Sequence, residues 1–417
     1  MVSSNVQWFI RSLPGGFGDL IEILYDGIAR AKVSKDTYFL DLSSCGITNI
    51  SAIGGLDQLP SLTALMLNSN HISKIEGLDA FNNLKHLYLG NNQFERIEGL
   101  DSLENLDRLE LAYNKIGKIE GLDHLNKLNA LDLGRNRIEH IENLDGNSEL
   151  QELHLGCNRI TDIEGLDRLV HLRNLALSNS TDIGAWNSRL GVREWRLVGE
   201  NAIAEICGLG QLVELQNLSI SQNKVETIDG LEHLTKLHGL ELEHNLLTRI
   251  EGIKHLVDLE RLNLAHNGIT AIEGIDTLVN LRDLDLSGNQ IEHITGLDAL
   301  VKLQKLSLAE NQITSFSGLD MLDQLESLNL RGNKIDGVVD VNRLGNLKRF
   351  DLAENHIRDI TGLNSLARLK DLRIAGNQFK HAIEIPGFLQ LRDRVPIDIA
   401  RLDADQDDEE LDPSYVD

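Results

Sequence analysis

The sequence predicts an α/β repeat solenoid, a chain wound into stacked turns that each add one short strand to a parallel sheet. Three observations predict it. Asn70, Asn92, Asn114, Asn136 and Asn158 stand 22 residues apart, and after one interruption the same step runs from Asn201 to Asn377, fourteen asparagines in all. Each asparagine sits in one kernel, seen clean as Leu62, Leu65, Leu67, Asn70, Ile72, Ile75, Gly77 and Leu78. Finally, a single turn of this length cannot bury its own leucines, so neighbouring turns must share one continuous core.

Within a turn, Leu65 and Leu67 alternate with Met66. A short strand with two side chains inward and one outward requires this pattern. Asn70 stands where the chain leaves the strand. Ile72, Ile75 and Leu78 then recur every three residues, which suits a tight, partly 3₁₀ return path. Gly77 permits a close backbone turn.

The L-x-x-L-x-L-x-x-N-x-L spacing resembles the leucine-rich repeat over about residues 37–391. The 22-residue form with I-x-x-I-x-G/N-L resembles the subfamily of the leucine-rich regulatory subunit of protein phosphatase-1. Axonemal dynein light-chain and internalin repeats look similar. The resemblance implies a right-handed horseshoe with a parallel sheet on its concave face and a 3₁₀ or irregular convex side. It implies that the asparagines point inward and bond backbone groups of their own and the adjacent turn. It also implies that a protein partner binds on the concave face.

Residues 1–36 do not fit the repeat. An amphipathic helix is expected over about 19–31, with Leu20, Ile23, Leu24 and Ile28 on one face and Asp19 and Glu22 resembling a capping box. It would cover the leucines of the first turn as an N-terminal helical cap; a partner-binding or membrane-surface helix is the other reading. The first turn is Leu40, Leu42, Cys45, Ile47 and Ile50, followed by a three-residue insertion near Ile53–Gly55. The register breaks at 178–200. Ser180 stands where an asparagine is due, and Asn201 arrives 43 residues after Asn158. This reads as one degenerate turn with a one-residue slip. The segment holds Trp186 and Trp195, which either fill the space of missing isoleucines or contact a partner. About sixteen turns are expected in the span 37–391, then a C-terminal cap at 392–402. Residues 403–417 carry eight acidic residues and no Lys or Arg, which predicts a disordered acidic tail.

Forty Lys and Arg stand against 65 Asp and Glu, a formal charge of −25 over 417 residues. Such a surface disfavours nucleic acid and anionic membranes and favours a basic protein partner. Cys45, Cys157 and Cys207 form no C-x-x-C pair, so neither a disulfide framework nor a zinc site is indicated. Cys45, at the asparagine position of its turn, is expected to be a buried thiol. Val6 to Ile10 is too short for a leader core, and Arg11 interrupts it. No apolar run is long enough to span a bilayer. A cytoplasmic protein, monomeric alone and without cofactor, is the expectation.

The middle residue of each L-x-L strand faces away from the core and is free to carry specificity. Tyr88, Glu110, Asp132 and His154 are consecutive in that column, with Tyr113 and Arg135 beside them near the strand ends. Trp195 and Arg196 belong to the irregular turn, and Glu241 and Asp285 lie further along. These ten are the candidate partner-binding residues. Glu241, Glu243, His244 and His266 mix carboxylate and imidazole but form no closed four-ligand set. Glu110 and Asp132 stand too close to flank a substrate as paired catalytic carboxylates. No G-x-S-x-G, Walker loop or H-E-x-x-H occurs. The expected function is a non-catalytic scaffold or regulatory subunit, with a phosphatase-type regulator as one form of it. The alternatives are an assembly component acting through its acidic outer face or tail, and a leaderless secreted effector.

Overall fold

The computed structural model describes residues 20–179, 201–379, 387 and 395–398. It divides into two compact units, residues 1–247 and 248–417.

The first unit opens with a hairpin, β1 (Leu20–Tyr25) and β2 (Ile28–Ser34), paired antiparallel. The helical cap expected over 19–31 is therefore a hairpin, and no α-helix occurs among the described residues. The apolar residues there satisfy period 2 as well as 3.6. Asp26–Gly27 decides between them, because both adopt positive φ, 52° and 70°, as a two-residue hairpin turn demands. Ile23, Tyr25 and Val33 are buried on the inner face. The Tyr25 hydroxyl accepts the Thr48 N–H at 2.7 Å, and Leu24 exchanges backbone bonds of 3.0 and 2.9 Å with Gly54. The insertion at Ile53–Gly55 thus meets the cap. Gly55 has φ 84°, and a Cβ there would collide with the Glu22 carbonyl.

Nine parallel strands follow in chain order: β3 (Phe39–Asp41), β4 (Ala64–Met66), β5 (His86–Tyr88), β6 (Arg108–Glu110), β7 (Ala130–Asp132), β8 (Glu152–His154), β9 (Asn174–Ala176), β10 (Asn217–Ser219) and β11 (Gly239–Glu241). Their central leucines point into the core, with Leu65, Leu87 and Leu109 fully buried. Burying one such side chain contributes about 1.5–3 kcal/mol relative to leaving it in water.

β9 pairs directly with β10, Leu175 opposite Leu218. β9 is thus the strand of the degenerate turn expected at Ser180, and it meets β10 with no strand between them. Asn201 instead completes the turn begun by β9: its Oδ1 accepts the Ile160 N–H at 2.8 Å, and its Nδ2 donates to Leu155 O and Leu177 O. Counted by ladder asparagines, the solenoid has about fourteen turns rather than sixteen with the two irregular ones.

The second unit holds β12 (Arg261–Asn263), β13 (Asp283–Asp285), β14 (Lys305–Ser307), β15 (Ser327–Asn329), β17 (Arg349–Asp351), β19 (Asp371–Arg373) and β20 (Ile397–Asp398), paired parallel in that order. Two return segments also pair in parallel, β16 (Asp336–Asp340) with β18 (His356–Thr361). Of the C-terminal cap expected at 392–402, Val395 is buried and β20 extends the sheet from β19. The tail at 403–417 and Trp186 lie outside the described residues.

The asparagines form the ladder that the resemblance implies. Asn70 Oδ1 accepts the N–H groups of Cys45 and Ile47 at 3.0 Å, while its Nδ2 donates to Leu42 O and Leu67 O. Each buried amide so paired avoids a penalty of about 1–3 kcal/mol. Among the described residues, return paths are mostly irregular, with two short 3₁₀ turns at Leu56–Gln58 and Leu363–Ser365. One column breaks its own rule. Leu125 and Leu169 are buried leucines two turns apart, and the residue between them in register is Asn147, fully buried.

Candidate functional site

The candidate surface is the sheet face of the first unit that turns away from the leucine core. Register sets Tyr88 opposite Glu110, Glu110 opposite Asp132, and Asp132 opposite His154. Parallel strands lie about 4.8 Å apart, so four candidate side chains occupy four successive rungs. The residues two further on from Tyr88, Glu110, Asp132 and His154 are Gly90, Ala112, Gly134 and Gly156, which keep the adjoining strip free of large side chains.

Glu110 is the electrostatic centre. Burial, then the neighbouring Asp132 carboxylate, push its pKa up to about 7, while Arg108 opposes the shift. One Asp132 oxygen accepts the Gly134 N–H at 2.9 Å, which fixes that carboxylate beside Glu110. Tyr113 and Arg135 form a pair, the guanidinium 4.7 Å from the ring centroid. Such cation–π contacts contribute about 0.5–1 kcal/mol where partly exposed. His154 departs from the expectation of an open contact residue, being only 5% exposed.

The other candidates are not brought to this patch. Glu241, on β11, lies three strands from His154 and accepts a bond from Ser219 Oγ at 3.1 Å. Asp285 belongs to the second unit, where its Oδ1 accepts both the N–H and the hydroxyl of Ser287. Trp195 and Arg196 lie outside the described residues. Among the described residues, no group of three or more His, Cys, Asp or Glu is arranged to hold a metal ion.

Sequence reasoning missed several features. Arg108 Nη2 reaches Glu152 Oε2 at 3.1 Å across two strands, which places a cation beside Glu110. Tyr113, Arg135 and Cys157 hold the left-handed conformation immediately before the ladder asparagine, with φ of 59°, 55° and 57°. The signal was present: the same position is glycine at Gly288, Gly332 and Gly376. Cys157 is buried and its thiol pKa is raised by that burial, while Cys45 is only half-buried.

A family profile described as Leucine Rich repeats (2 copies) matches residues 60–102, 82–124, 257–299 and 301–341, and a single-copy Leucine Rich repeat profile matches 146–165. Over these residues the chain carries leucine-rich repeats. Solved leucine-rich repeat structures agree. An internalin, InlF of Listeria monocytogenes, is 28% identical with a TM-score of 0.66, covering 79% of this chain and 90% of its own. A leucine-rich repeat protein of Leptospira interrogans is 23% identical with a TM-score of 0.74, over 88% of this chain and 96% of that one, and so shows the fold alone. TLR13, solved in complex with ssRNA13, is 25% identical with a TM-score of 0.65; 82% of this chain aligns with 50% of that one. No curated protein matches the sequence. Among the described residues, no helix is long and apolar enough to cross a membrane.

Proposed function

We propose that this protein is a non-catalytic scaffold or regulatory subunit that binds a basic protein partner on the open sheet face of its first unit. One observation carries the reading: Tyr88, Glu110, Asp132 and His154 stand on consecutive rungs, at positions the leucine core does not constrain. Two neighbouring carboxylates beside an aromatic ring suit a Lys or Arg side chain, through charge and through the ring face. The formal charge of −25 favours attraction of a basic partner from a distance. Leucine-rich repeats and their structural neighbours commonly act as interaction scaffolds or receptors, which supports the same reading. A phosphatase-type regulator is one form such a scaffold takes. Three free thiols suit a reducing cytoplasm, and the protein acts as a monomer until it meets its partner.

The test is affinity capture from native cell extract, read by mass spectrometry, with the intact protein and a Glu110→Lys, Asp132→Lys variant. The variant keeps the circular dichroism of the parent and loses the basic partner. A partner held equally by both proteins sinks the proposal.

A further inference from the structure

Beside the sheet face of the first unit, where the chain enters β5–β8, lies a groove of about 670 Å³. Its lining residues lie at or just before the strand starts, and they divide into a hydrogen-bonded floor, in which Lys127 and Asp107 offset each other in charge, and two charged ends. The floor is a bonded network: Lys127 Nζ donates to Asn105 Oδ1 at 2.6 Å, Asn129 Nδ2 to Asp107 Oδ1, and Gln151 Nε2 to Asn129 Oδ1 at 3.0 Å. The ends are Lys85 and Glu149, both exposed, and neither makes an ion pair among the described residues. Next to Lys85, His86 Nδ1 is shut off from solvent without a hydrogen-bond partner, 3.8 Å from Asp107 Oδ2.

Comparison along the chain shows that these free charges are not imposed by the repeat. In the register position of Asn105, Lys127 and Glu149, the later pair Glu214 and Lys236 close on each other at 2.6 Å. In the position of Lys85 and Asp107, Glu326 and Lys348 do so at 2.7 Å. Lysines here reach back to the preceding turn. Lys85 meets Thr63 there, and Glu149 is followed a turn later by His171, so both ends of the groove stay uncompensated. Three rungs separate them, roughly 14 Å at about 4.8 Å per parallel strand.

We propose that this groove takes an extended segment of a protein partner that carries an acidic side chain at one end and a Lys or Arg about four residues away. The acidic side chain meets Lys85, and the basic one meets Glu149. Four residues of extended chain span roughly 13 Å, which matches the separation of the ends. The inference rests on the protein-binding reading above and adds a second contact, with its own chemistry, to it.

Fluorescence anisotropy with three labelled peptides at physiological salt tests it: Glu-Gly-Ser-Gly-Lys amide and its Glu/Glu and Lys/Lys counterparts. The wild-type protein prefers the Glu/Lys peptide. Lys85→Glu weakens that peptide roughly fivefold, the effect of one exposed ion pair, and turns the preference to Lys/Lys. Glu149→Lys turns it to Glu/Glu. Glu110→Lys, Asp132→Lys leaves peptide binding unchanged, so a failed capture experiment with retained peptide binding overturns the sheet-face reading and not the groove. Absence of Glu/Lys binding by the wild type, or Glu/Lys affinity untouched by both reversals, overturns the groove.

Discussion

Asn201 Nδ2 donates to Leu177 O at 2.9 Å across 24 residues of sequence. The other thirteen ladder asparagines bond a carbonyl three residues back. The native bond is therefore made in spite of an insertion that interrupts its own turn. Deleting residues 180–200 joins Asn179 to Asn201 and restores the L-x-x-N spacing after Leu177. The shortened protein is expected to keep the parent's circular dichroism and a single cooperative thermal transition. Loss of either would mean that the inserted segment holds β9 against β10.

This insertion shows where the sequence was legible and where it was not. The ladder was legible because every asparagine answers the same local demand, a set of backbone groups that must be paired at each corner. The insertion was misread because the step from Asn158 to Asn201, 43 residues, falls one short of two regular turns. Length mimicked a repeat that pairing does not contain. The cap was misread because Leu20, Ile23, Leu24 and Ile28 suit a helix, while the Asp26–Gly27 turn and the alternation of Ile21, Ile23 and Tyr25 suit a hairpin. In the candidate site, the row Tyr88–Glu110–Asp132–His154 followed from the 22-residue step. The burial of His154 and the reach of Arg108 to Glu152 did not, since both depend on side-chain packing across rungs.

Asn136 tests the ladder itself. Its Oδ1 accepts the Ile116 N–H at 3.0 Å, and its Nδ2 donates to Leu111 O and Leu133 O at 3.0 Å. Asn136→Ala leaves these buried groups without that partner. A loss of roughly 2–4 kcal/mol is expected in urea unfolding. A loss below about 0.5 kcal/mol, the size of an ordinary surface substitution, would show that the amide is not needed.

Asn147 makes the opposite prediction. It is fully buried in a column of leucines, and its Oδ1 has no hydrogen-bond partner. Its Nδ2 donates to Leu122 O and Leu125 O, but these carbonyls also accept the N–H groups of Leu125 and Leu128. Asn147→Leu removes an unpaired polar atom and strands no carbonyl. A gain of about 1–2 kcal/mol is expected, seen as a higher urea midpoint. An unchanged or lower midpoint would mean that the site is shaped for the amide and overpacks with leucine.

Glu110 gives the pH dependence. Its pKa stands at about 7 in the folded protein, above the ordinary carboxylate value of 4.5, through burial and Asp132. Between these values the folded state binds the proton and the unfolded state does not, so stability falls as pH rises from about 4.5 to about 7. The lost contribution is on the order of 3 kcal/mol. Glu110→Gln, which cannot ionise, should flatten that part of the melting profile and raise Tm at pH 8 but not at pH 4.5. Parallel profiles for the two proteins would refute the buried-carboxyl account. The same proton bears on the sheet-face proposal. A basic partner needs Glu110 ionised, so its affinity should strengthen as pH rises through 7 and lose that dependence in Glu110→Gln. Titration calorimetry at pH 6, 7 and 8 reads this, and a pH dependence equal in both proteins would place the partner elsewhere.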